Sequence, residues 1–183
     1  MKGIIYAVWL CLLLVLSGCA AKVTAWNGKT EYYAQVCMTI DPTNLQEYVD
    51  AVDYVFVGTV QETIKNVISE KDDYSTYRIH VDKNLKGELA ESVICAKEGG
   101  LRKDGTMLLV VSGEKKDTGI PEDGRQYIFM ANAQLDGSLL LSTFLDDRPY
   151  SAELLQEYLE YCENEIPSDE EFTALDDIQS GEE

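Results

Sequence analysis

The reading of the fold rests on residues 74–88, "YSTYRIHVDKNLKGE". Tyr77, Ile79 and Val81 fall on one face of this stretch, and Arg78, His80 and Asp82 on the other. A period of two is what a strand with one buried face produces, because successive side chains point to opposite sides of the pleat. The alternation stops at Lys86-Gly87, where glycine permits a turn.

Similar segments lie on both sides. Upstream, "YVFVGTVQETIKNVI" (54–68) is rich in β-branched and aromatic residues, and Gly58 inside it predicts a bulge or a barrel corner. Downstream, "ESVICAKEGG" (91–100) reads as a third strand, and "TMLLVVSG" (106–113), apolar on both faces, as a central one. "RQYIFMANAQ" and "SLLLSTF" flank Leu135-Asp136-Gly137, a hairpin signature. A short strand is expected over Tyr32–Thr39. Two helices frame the set. Asp41-Pro42 opens the first, with Leu45, Tyr48, Val49 and Val52 at helical spacing, and Ser151 caps the second, which carries Leu154, Leu155, Tyr158, Leu159 and Cys162 on one face. Six or so strands at this spacing predict a mainly β protein with flanking helices, built as a small closed barrel or a sandwich.

Four blocks in order, "VDYVFVGTV" (52–60), "STYRIHVDKNLKGEL" (75–89), "ESVICAKEGG" (91–100) and "RQYIFMANAQLDGSLLLSTFLDD" (125–147), resemble the netrin-like amino-terminal domain of the tissue inhibitors of metalloproteinases. The Lys86-Gly87 turn after a Tyr-x-Ile-x-Val strand and the Gln-Tyr-Ile strand paired through Asp136-Gly137 are the most specific parts. The resemblance implies a five- to six-stranded Greek-key barrel of the oligonucleotide/oligosaccharide-binding (OB) type, with the C-terminal helix packed on it. It also implies a disulfide between Cys37 and Cys95, worth about 4 kcal/mol on the chain-entropy model; the alternative is two buried free thiols, which pack as small apolar residues. In that family the first cysteine is the free amino terminus and chelates the protease's zinc. Cys37 here is internal, its nitrogen is a peptide amide, and "LLLSTF" lacks the family's cysteine. The resemblance therefore implies the fold, while the chelating amine of the inhibitors is not reproduced.

The amino terminus carries a different signal. Lys2 precedes an apolar run from Ile4 to Leu16, too short for a membrane span of roughly 20 residues and suited to a secretory signal. Leu16-Ser17-Gly18-Cys19 resembles the lipobox of bacterial lipoproteins, in which the cysteine thiol receives a diacylglyceryl group and the chain is cut before it. Two acyl chains convert a soluble domain into an anchored one. The expected organisation is signal peptide 1–18, tether 19–31 with lipid on Cys19, barrel 32–148, C-terminal helix 149–166 and acidic tail 167–183. The expected location is the outer face of a bacterial cell membrane.

The net charge of −18 becomes −19 once Lys2 is removed with the signal. Such a chain is repelled by nucleic-acid phosphates and by anionic lipid headgroups, so both are unfavourable partners, and the charge suits solubility outside the cell. No catalytic set stands out. His80 is the only histidine and lies on a polar strand face, while Asp146-Asp147 fit pairing with Arg148 or helix capping. Gly99-Gly100 lacks a phosphate loop's lysine and spacing, and no Cys-x-x-Cys occurs. Cys162, on the apolar helical face, reads as an inert thiol. No cofactor, metal or catalytic residue is expected. The leading expectation is a non-enzymatic module binding a protein or envelope component. The alternative is a protease inhibitor acting through a barrel edge or the loop "EKKDTGIPEDG" (114–124), and an envelope enzyme is the remote third.

Overall fold

The structure, a computed structural model, describes residues 24–34, 44–69, 73–112 and 114–164. Five strands close a barrel: β2 (Tyr54–Lys65), β3 (Tyr74–Lys86), β4 (Ser92–Glu98), β8 (Gln126–Ala133) and β9 (Leu139–Leu141). Around the ring the order is β2-β3-β4-β9-β8 and back to β2, antiparallel except for the β4–β9 pair. This is the Greek-key order of an OB-type barrel. The sixth expected strand is elsewhere. β6 (Met107–Ser112) is central to a second, smaller sheet, flanked on one edge by β1 (Thr30–Ala34) and on the other by β5 (Gly100–Leu101) and β7 (Lys115–Lys116). Its two apolar faces identified a central strand but not the sheet to which it belongs.

Two apolar cores share the walls of the barrel. Phe56, Val60, Tyr77, Ile79, Cys95, Tyr127, Phe129, Ala131, Leu139 and Leu141 fill the interior. Phe56 and Phe129 are register partners on β2 and β8, and their rings lie 5.4 Å apart. The outward residues of the same strands, Val55, Val57, Ile128 and Met130, bury against α1 (Leu45–Ala51) and α2 (Ala152–Glu163) through Tyr48, Val49, Val52, Leu154 and Tyr158. That second coverage explains why β2 and β8 are apolar at successive positions, whereas β3 keeps Arg78 and Asp82 exposed opposite buried Tyr77 and Ile79.

Local chemistry fixes the helix ends. Asn44, rather than Asp41, caps α1, its Oδ1 accepting from the Glu47 N–H; Asp41 and Pro42 lie outside the described residues. Lys86 Nζ donates to the carbonyls of Val49 and Asp50 at 3.0 Å, placing a cation on the otherwise unsatisfied C-terminal groups of α1. Gly87 follows at φ 69°, where a Cβ would stand 2.8 Å from the Asp53 carbonyl. The lysine caps the helix and only glycine fits the turn beside it. Ser151 caps α2 as expected, accepting from Leu154 N–H at 3.1 Å.

Gly58 marks a register shift in β2, as expected for a bulge. A Cβ there would lie 2.7 Å from Ile79 Cγ2 and 3.1 Å from the His80 carbonyl. Gly58→Ala is expected to lower unfolding stability by about 1–3 kcal/mol through overpacking, measured by chemical denaturation.

Candidate functional site

The site residues read from the sequence do not converge. Cys19 and Cys37 lie outside the described residues, as do the signal segment and the acidic tail. Cys95 is a free thiol in the barrel interior with no exposed surface, and burial pushes its pKa up to about 12, so it stays protonated and unreactive at neutral pH. His80 sits half-exposed, 3.7 Å from Asp82 and 4.0 Å from Glu91. Cys162 packs against the helix-side core.

Asp146 does pair with Arg148. The guanidinium meets Asp146 at 2.7 Å and Glu157 of α2 at 2.9 Å, and Tyr158 Oη donates to the same aspartate at 2.9 Å. The cluster fastens the exit of β9 to the C-terminal helix. Burial alone would raise the Asp146 pKa, but the bonds from Arg148 and Tyr158 outweigh it and hold it below the ordinary value.

The loop 114–124 differs from its expected free state. Lys115 and Lys116 form β7, and Asp117 is driven under the surface to meet Lys97 of β4 at 2.5 Å, both side chains being 0% exposed. Lys97 Nζ also donates to the Thr143 carbonyl at 2.9 Å and the Glu98 carbonyl at 3.3 Å, and Thr118 Oγ1 reaches the Leu145 carbonyl. Burial pushes the ammonium's pKa down and the carboxyl's up, while their mutual attraction opposes both shifts. Three chain segments, 97–98, 117–118 and 143–145, meet at this pair, and both charged side chains are fully buried. Its role is to clamp the second sheet to the barrel.

What remains open is a strand edge. The Met107 N–H donates to the Lys29 carbonyl, and the parallel register runs from Thr30–Met107 to Ala34–Val111. In that register Glu31 and Tyr33 direct their backbone groups to β6, and Thr30, Tyr32 and Ala34 direct theirs away. Among the described residues nothing pairs with this outer edge. Tyr32 is 43% exposed, with Lys116 Nζ 5.3 Å from its ring centroid.

Residues 27–31 were expected to belong to the tether, yet they are built into the fold. Asn27 N–H donates to the Gly105 carbonyl, Asn27 Nδ2 to the Asp104 carbonyl, and the Lys29 N–H to Asn27 Oδ1. The Asn27-Gly28 dipeptide was the available signal, since it is a turn former that an unstructured linker does not need.

Among the described residues no helix is long and apolar enough to cross a membrane. No protein-family model matches the sequence, and no curated protein matches it either.

Two outcomes follow from these clusters. Asp117→Ala is expected to cost about 3–5 kcal/mol, because Lys97 is left buried and uncompensated, and pairing it with Lys97→Met is expected to recover part of that loss in denaturant melts. Asp146 is ionised more readily in the folded state than in the unfolded chain, so its contribution is complete above about pH 4 and is lost as pH falls further. The stability gap between the wild type and Asp146→Asn, read from thermal melts at stepped pH, should therefore close below that pH.

Proposed function

We propose that this chain is a lipid-anchored, extracytoplasmic, non-enzymatic binding module that takes a protein partner by strand addition to the outer edge of β1. The lipobox-like Leu16–Cys19 supports the anchor. The observation that carries the binding reading is the row of outward backbone groups at Thr30, Tyr32 and Ala34, together with the exposed side chain of Tyr32. An extended segment laid along such an edge gains main-chain hydrogen bonds, and alternate side-chain contacts supply selectivity. The alternative, protease inhibition, uses this same edge; the loop 114–124 is tied down by the Lys97–Asp117 pair and does not suit insertion into a cleft.

The test compares residues 22–183 with Tyr32→Pro in retention of envelope proteins from extracts. Proline at position 32 removes an outward N–H and leaves the bonds to β6 intact, so retention should be lost at nearly unchanged melting temperature. Tyr33→Pro removes an inward N–H and should lower the melting temperature as well. Repeated failure of the unaltered domain to retain any component would count against the module. Stoichiometric inhibition of a secreted protease, abolished by Tyr32→Pro, would select the inhibitor.

A further inference from the structure

At one end of the second sheet, residues 25–31 and 102–106 carry three basic side chains, Lys29, Arg102 and Lys103, against two acidic ones, Glu31 and Asp104. The turn 102–106 packs against residues 25–29, with Asn27 bonded to Asp104, Gly105 and Thr106 and Trp26 Nε1 donating to the Lys29 carbonyl at 2.8 Å. This lock leaves Trp26 58% exposed and presents Lys29 and Lys103, both exposed and neither ion-paired among the described residues. Arg102, beside them, is neutralised by Glu31 at 2.5 Å. By contrast, residues 149–183 hold twelve acidic side chains and no basic one.

We infer that this double turn, with Trp26, Lys29 and Lys103, is a lipid-contacting face that seats the domain on the bilayer surface. The inference rests on the proposed anchor at Cys19. Six residues lie between Cys19 and Trp26, and the seven steps of chain, fully extended, reach roughly 25 Å, so the turn is held close to the headgroups whatever path the tether takes. Trp26 has the amphipathic chemistry of residues found at membrane interfaces, and two lysines with no ion pair among the described residues complement anionic headgroups locally while the domain as a whole is repelled by them. β1 begins at this turn and runs away from it, so its outer edge stands clear of the bilayer.

Trp9 and Trp26 are the only tryptophans, and removal of the signal leaves Trp26 as a native probe. The experiment uses the full-length protein purified from cells that process it, reconstituted in phosphatidylcholine–phosphatidylglycerol vesicles with and without brominated acyl chains. Mass spectrometry of Cys19 is read in parallel. The expected result is an acylated Cys19 with blue-shifted Trp26 emission quenched by the brominated lipid. In a Trp26→Phe background, Lys103→Trp should also be quenched and Leu135→Trp, in the β8–β9 hairpin at the other end of the barrel, should not. Lys29→Glu with Lys103→Glu should weaken Trp26 quenching only when phosphatidylglycerol is present.

An acylated protein whose Trp26 emits as in water overturns the inference and leaves the anchor standing. Quenching at Trp26 without quenching of Lys103→Trp overturns it too, because a single indole has then dipped in without the turn. A Cys19 without lipid removes the anchor, and the seated face falls with it.

Discussion

The ion pair between Lys97 and Asp117 is the contact on which the arrangement of the two sheets depends. Lys97 belongs to a barrel strand, and Asp117 follows directly on the last strand of the smaller sheet. A charge taken from water is tolerated only when its partner and remaining hydrogen bonds are supplied, and here Thr143, Glu98 and Leu145 supply them. Because removal of either partner leaves a buried charge, the pair sets position more than it adds net stability. It holds the residues that follow β7 against the barrel, while on the other side the backbone bonds of Leu101 to Asn66 and Ile68 tie β5 to the chain that leaves β2.

The barrel itself has a different economy. β2 and β8 are walls between two cores, one inside the ring and one beneath the helices, and nearly every residue on them is buried on one side or the other. Lys86 extends the same logic to α1, tying its last carbonyls to the end of β3. The polar groups of the scaffold are thus largely engaged in holding elements together. The outward groups of β1 are engaged in nothing described, which is why the binding reading falls on that edge.

Much of the barrel was legible beforehand because its signals are local and periodic. The alternation through Tyr77, Ile79 and Val81, the bulge at Gly58, the Asp136-Gly137 hairpin and the Ser151 cap each depend on neighbours within a few residues. The second sheet was not legible, since "TMLLVVSG" reports burial on two faces without naming its partners, and β1 pairs with it from more than seventy residues away. Asp117 looked like one acid in a polar loop; only the fold brings it to Lys97. Cys95 was expected in a disulfide from the family resemblance, and it occupies the barrel interior as a thiol while Cys37 lies outside the described residues.

Amide hydrogen exchange, read residue by residue by NMR, distinguishes a β1 that is docked on one side and open on the other from a strand covered on both. The expected pattern alternates: slow exchange at Glu31 and Tyr33, whose N–H groups serve β6, and fast exchange at Thr30, Tyr32 and Ala34. Uniform protection across residues 30–34 would mean that another strand already covers the edge. Uniform fast exchange would mean that β1 is not held by the sheet, and either result would rule out a β1 edge that is both docked and open.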